Sequence, residues 1–305
     1  MFDYAYYFNQ ELNSWNTSSA TSLSEMFAYT SSFNQPIGNW TTSSVTSMGS
    51  MFDNAYAFNH DISEWNTVKV GNFSSMFYAS TYFNFPIGAW TTKKAKDMSY
   101  MFYGTSFNQP INKWITSSVT SMAGMFNNAY AFNQNLNKWN TIKVGDFSSM
   151  FYNSTYFNNP INSWRTKKAK DMSFMFHGSP FNQPLSKWKT GEVTYMDNMF
   201  NNAFDFNQNL NKWDTSKVRN MGNMFRYAYG FNQPIGSWDT GKVTSMERMF
   251  YVGTAFNQLI EEWDVSKVAS MHYMFGYATV FNQPVDTWAV NNVETMYGMF
   301  MYAEE

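Results

Sequence analysis

Histidine is the side chain best suited to proton transfer and metal ligation near neutral pH. The chain has three, His60, His177 and His272. No two are close enough in sequence to share a helix face, so neither a zinc pair nor a catalytic pair is indicated. There is no cysteine, which removes thiol nucleophiles, thiolate metal sites and disulfide staples. Serine and threonine are abundant, but no Gly-x-Ser-x-Gly elbow or Ser-x-x-Lys box is present. No Gly-rich phosphate loop and no Asp-x-Asp-x-Asp-Gly calcium loop occurs. The 22 carboxylates are scattered, and no pair is spaced as an acid/base couple. The expectation is a chain that is not an enzyme and carries no cofactor or metal.

Charge and tyrosine are more informative. Residues 1–90 hold one Lys and six acids, net −5. Residues 91–190 hold twelve Lys or Arg and three Asp, net +9, and residues 191–305 are net −6. The basic stretch offers Lys93, Lys94 and Lys96, and at the matching place later Lys167, Lys168 and Lys170. Lys113, Lys138 and Lys187 each precede a Trp, with Lys212 just beyond, while Arg165 and Lys189 each follow one. These residues form a candidate belt for an acidic or sulfated glycan or an acidic protein. The alternative is a set of solvated charges. Nucleic acid is disfavoured, because the whole chain is slightly acidic at −2. All 20 Tyr lie within a few residues of a Met-Phe pair. Tyr6, Tyr56, Tyr130 and Tyr229 share one column, and Tyr82 and Tyr156 the next. They form a candidate aromatic edge for protein or carbohydrate, unless they merely cover helix ends.

A strict repeat positions these residues. The tryptophans fall at 15, 40, 65, 90, 114, 139, 164, 188, 213, 238, 263 and 288, spaced by 25 with two steps of 24. Met-Phe recurs thirteen times and Phe-Asn twelve. A longer period is nested within: Trp65, Trp139 and Trp213 are 74 residues apart, so a block of three repeats is duplicated. No linker breaks the array, and residues 1–305 read as one continuous domain of about twelve repeats. Both ends fall inside a repeat, at Met1-Phe2 and at Tyr302-Ala303-Glu304-Glu305. This suggests a piece of a longer protein.

Within one repeat, Val45, Met48, Met51, Phe52 and Ala55 have helical spacing. Thr42-Ser43-Ser44 supplies an N-cap. The half-repeat from Phe33 to Trp40, interrupted by Pro36, reads as a strand of two to four residues, since proline cannot donate to a ladder. The asparagine after each Phe is expected to satisfy backbone groups in a stacked column. The predicted fold is an α/β solenoid: a right-handed, leucine-rich-repeat-like stack of strand-turn-helix repeats with short parallel strands. An aromatic share of 20% with 14% charge argues against disorder. No apolar run is long enough to span a membrane.

The motif is cleanest from Phe206-Asn207-Gln208-Asn209-Leu210 through Trp213-Asp214-Thr215-Ser216-Lys217-Val218 to Met221 and Met224-Phe225. It resembles the repeat of BspA-like leucine-rich-repeat surface proteins. That family includes a repeat domain of unknown function first noted in Mycoplasma lipoproteins. The resemblance covers essentially the whole chain. It implies an extracellular, cell-surface or virion-surface protein used in adhesion or protein–protein interaction, with no catalytic residues to carry over. Departures are the lack of a signal peptide, a lipidation cysteine and an anchor. Alternatives are a purely structural part of a fibre, appendage or viral exterior, or a module for acidic glycans. End-to-end or lateral self-association is a further expectation. Sequons stand at Asn16, Asn39, Asn72 and Asn153. A Thr recurs two residues after Trp, at Thr17, Thr42, Thr67 and Thr92; it suits an N-cap, with an ice-binding array as the remote alternative.

Overall fold

A computed structural model describes residues 1–303; Glu304 and Glu305 lie outside the described residues. The chain divides into two compact units, one of Met1–Val144 with Met150–Asn159 and one of Gly145–Ser149 with Pro160–Glu305. Each is built from the 25-residue repeat.

The helix expected at the Met-Phe segment does not form, and the described residues contain no helix. The segment is instead a ribbon of consecutive tight turns. In the first unit the N–H groups of Met51, Asp53 and Ala55 bond back three residues, to Met48, Ser50 and Phe52, at 3.1–3.2 Å. The intervening N–H groups leave the repeat. Met48, Ser50, Phe52 and Asn54 donate to the carbonyls of Asn72, Ser74, Met76 and Tyr78 in the next repeat, at 2.7–3.0 Å. The second unit repeats the pattern: Asn223, Phe225 and Tyr227 donate to Glu247, Met249 and Tyr251 at 2.7–2.9 Å. Ser50 and Asn54 take φ of +52° and +55°, as the third residue of a type II turn must.

The physical reason is a competition for N–H groups. A ten-residue amphipathic helix is marginal alone, and it satisfies its N–H groups internally. The turn ribbon satisfies half of them internally and offers the rest to the neighbouring repeat. Both arrangements bury Met48, Met51, Phe52 and Ala55, all fully inaccessible. The apolar spacing therefore does not distinguish them.

The strand expectation also fails. Among the described residues, the sheet-like pairing is a column of isolated parallel bridges, such as Ser22–Ser47 and Ser47–Asn72 in the first unit and Asn220–Ser245 in the second. Phe33 to Trp40 is not a strand; it ends in a turn, Trp40 N–H to Ile37 O at 3.2 Å. The predicted N-cap is likewise a turn, closed by Val45 N–H to Thr42 O at 2.9 Å. A strand-turn-helix α/β architecture, and the leucine-rich-repeat likeness drawn from it, are therefore incorrect. The repeat itself stands.

Aromatic columns form the core. Phe27, Phe52 and Phe77 stack at 5.6 Å between repeats, and Phe52 lies 3.9 Å from Phe58 within its own. Phe200, Phe225 and Phe250 do the same at 5.7 Å in the second unit. Tryptophans stack in parallel at 6.3–6.5 Å, as in Trp40–Trp65–Trp90 and Trp213–Trp238–Trp263. Each such ring contributes about 2–3 kcal/mol by burial. Three polar ladders satisfy the backbone around them. Trp65 Nε1–H donates to Ile37 O at 3.2 Å. Asn59 N–H donates to Asn34 Oδ1, and Asn84 N–H to Asn59 Oδ1, both at 3.0 Å; this is the expected asparagine column. Thr42 and Thr67, each 1% exposed, donate their hydroxyls to Asn66 O and Thr91 O at 3.2 Å. A buried threonine column cannot present an ice-binding face.

Candidate functional site

All eleven belt residues are exposed. Lys93, Lys94, Lys96, Lys113 and Lys138 belong to the first unit, and Arg165, Lys167, Lys168, Lys170, Lys187 and Lys189 to the second. Lys113, Lys138 and Lys187 lie on turns, not strands, each turn closed by the following Trp N–H at 3.0–3.1 Å. What the second unit does assemble is an open cleft of about 530 Å³. It is lined by Lys167, Lys189, Lys212, Thr190, Gly191, Glu192, Asp214 and the rim of Trp188. Lys217 Nζ holds Glu192 Oε1 at 2.7 Å. Ser216 donates its N–H and its hydroxyl to Asp214 Oδ1 at 3.1 and 2.7 Å. These bonds, followed by the positive charge of neighbouring lysines, hold both carboxyls below their ordinary range. Both are anions at neutral pH.

The tyrosine edge is solvent-facing. Tyr6, Tyr56, Tyr82, Tyr130 and Tyr156 of the first unit and Tyr229 of the second are 42–67% exposed. With no helix present, they cover no helix ends. Tyr56 donates its hydroxyl to Asn54 Oδ1 at 2.8 Å, and Tyr130 to Asn128 Oδ1 at 3.3 Å. A groove of about 210 Å³ lies beside Tyr130, floored by Thr81, Gly104 and Ser106.

Sequence reasoning missed a second aromatic surface. In the second unit Arg226 lies over the Tyr227 and Tyr251 rings at 4.7 and 5.6 Å, and Arg248 over Tyr273 at 5.7 Å. Arg248 also pairs with Glu247 and reaches His272 Nε2 at 3.2 Å. Tyr273 and Tyr297 meet edge to face at 5.4 Å. The readable signal was Arg and Tyr recurring in adjacent columns around successive Met-Phe pairs.

The histidines stay apart in role. His60 Nε2 bonds Asn34 O at 2.9 Å. His272 sits against Tyr273 at 4.5 Å. Burial, with Arg226 adding repulsion, pushes the His177 imidazole down to about 4. Among the described residues, no group of three or more His, Asp or Glu is placed to hold a metal ion. No helix among them is long and apolar enough to cross a membrane.

Asp53 gives a pH prediction. Burial, followed by the charges of Asp3 and Glu25 and opposed by the Asn54 hydrogen bond, raises its carboxyl to about 6. The folded chain then binds a proton between about pH 4 and 6 that the unfolded chain does not, so this term favours folding below pH 4 and fades as pH rises through 6. Asp53→Asn should raise unfolding free energy at pH 7.5 by about 1 kcal/mol, after allowance for partial solvent screening. The gain should shrink at pH 4.5. Urea titration at both pH values checks it; an equal effect at both refutes the assignment. His177 works oppositely, excluding a proton that the unfolded chain accepts below its ordinary value.

The repeat stack and its exposed polar and aromatic faces define a class of protein built by duplication, with one core motif and variable surfaces. The family model described as Mycoplasma protein of unknown function, DUF285, matches residues 1–106, 80–180, 177–252 and 230–305. The chain belongs to that family. No curated protein matches it. One solved structure aligned to it is a plant peptide hormone receptor, RGFR1 in complex with RGF2. That alignment has 6% identity and a TM-score of 0.14, and covers 85% of this chain and 67% of the receptor chain. At that score the likeness carries no argument.

Proposed function

We propose that the chain is a non-catalytic binding scaffold, presented at a cell or particle surface, that holds a partner protein through its tyrosine edge. The carrying observation is that these tyrosines, in two adjacent columns, are 42–67% exposed while the Phe, Trp and Met columns of the interior repeats are buried without them. Tyrosine combines apolar area with a hydroxyl, and exposed aromatic rows of this kind suit protein interfaces. The motif's similarity to BspA-like surface proteins supports the surface location and the adhesive role.

The test replaces Tyr56, Tyr82, Tyr130 and Tyr156 together by Ser. Stability should change little, within about 0.5 kcal/mol per exposed site. Retention of the labelled chain on cells or matrix of its source should be lost. Undiminished retention would reject this edge. The second reading is a purely architectural role, favoured by the unbroken hydrogen-bond register within each unit. It expects ordered assembly of the purified chain, by light scattering, that tolerates the same substitutions.

A further inference from the structure

We propose that the cleft at Gly191 in the second unit is a binding site for an acidic polysaccharide, one whose sugars carry both hydroxyls and sulfate or carboxylate groups. One position of the lining is a glycine. Thr166, Thr190 and Thr215 are successive members of the buried threonine column, and the residues after them are Lys167, Gly191 and Ser216. The absence of a side chain at Gly191 makes room for the Asp214 carboxylate. A Cβ there would stand 2.6 Å from Asp214 Oδ2.

The lining selects the ligand. Lys167, Lys189 and Lys212 come from three consecutive repeats and surround the opening. Ammonium groups of this kind take sulfate or carboxylate as point charges. Glu192 and Asp214 share the cleft with them. Each has one oxygen tied down, by Lys217 and by Ser216, so both are oriented. A carboxylate only accepts hydrogen bonds. It repels a ligand made of anions alone and favours one that also brings hydroxyl donors. An inorganic oxyanion or a polyglutamate peptide meets only half of the lining, whereas an acidic sugar chain meets all of it. The volume, about 530 Å³, lies in the usual range for ligand pockets and exceeds what a single oxyanion fills. The site shares no residue with the tyrosine edge, so either proposal can fail alone.

The test is calorimetric titration of the full chain at low salt with four probes: a heparin oligosaccharide, its desulfated counterpart, inorganic sulfate and polyglutamate. The sulfated oligosaccharide should bind saturably and tightest of the four. Lys167→Gln/Lys189→Gln/Lys212→Gln should weaken it by about tenfold or more. Glu192→Gln/Asp214→Asn should weaken the oligosaccharide while strengthening polyglutamate. Gly191→Gln, whose Cβ would displace the Asp214 carboxylate and whose side chain would enter the cleft, should also weaken it. The proposal is overturned by oligosaccharide binding that is absent, or that is unchanged in the triple lysine variant or in Gly191→Gln with an unaltered melting temperature. Polyglutamate binding as tight as the oligosaccharide would also overturn it.

Discussion

Trp65→Ala is expected to lower the unfolding free energy by about 3–5 kcal/mol. The indole is 3% exposed and stacks on Trp40 and Trp90 at 6.3 and 6.5 Å. Phe52 lies 6.3 Å away, and Ile37 O accepts its Nε1–H. Alanine removes the ring, opens a cavity between two repeats and leaves the Ile37 carbonyl without that donor. Trp65→Phe restores much of the volume but not the donor, and should cost less, about 1–3 kcal/mol. Chemical denaturation of the three proteins separates packing from hydrogen bonding. A Trp65→Ala loss below about 1 kcal/mol would contradict the continuous aromatic column.

The second large effect concerns the backbone. Ser75 has φ +53° and donates its N–H to Ser99 O at 2.8 Å. Proline locks φ near −65° and has no N–H, so Ser75→Pro should cost about 3 kcal/mol or more. The sharper comparison is Ser75→Gly. In a helix, glycine would lose close to 1 kcal/mol. In the turn ribbon it relieves a left-handed residue at some cost in chain entropy, and should gain about 0.5–1 kcal/mol. The sign of that one substitution decides between the two backbones. Thermal unfolding of the three proteins reads it directly.

The same contrast explains what was legible in the sequence. The period, the buried Trp and Met-Phe columns and the asparagine ladder follow from residue identity alone, since a residue kept in one column meets its own kind in the next repeat. The backbone between those columns did not follow. Met48, Met51, Phe52 and Ala55 suit a helix face and a turn ribbon equally. The distinguishing signal lay in the residues between them. Ser50, Asn54, Asn128, Asn198, Asn202 and Asn223 all have positive φ, as do Gly104, Gly124, Gly178 and Gly298. Asparagine and glycine are the residues that enter this region most readily. Tyr29, Tyr227 and Val252 sit in the same columns at +55° to +56°, which blurs the pattern. The threonines were misplaced for a related reason: their polarity suggested a cap, whereas their hydroxyls serve carbonyls inside the stack. Of the candidate binding residues, exposure was predictable. Grouping was not, because Lys167, Lys189 and Lys212 come from different places in three successive repeats.

The alternation of N–H groups along the turn ribbon bears on how such a chain changes over generations. Within each unit, successive repeats present the same donors to the one after and the same acceptors to the one before, whatever their surface residues. The shorter repeats keep this register: Phe102 and Phe107, one residue closer in sequence than Phe52 and Phe58, still stack at 4.2 Å. Phe77 N–H and Phe102 N–H still reach Met101 O and Met125 O at 3.0 and 2.9 Å. Unequal recombination between copies of the gene segment can therefore remove or insert whole repeats within a unit while the backbone donors find equivalent partners. The 74-residue duplication fits such an event. Surface columns such as those of Gly191 and Tyr56 are then free to diverge between copies, so a lineage can vary its exposed chemistry without redesigning its core.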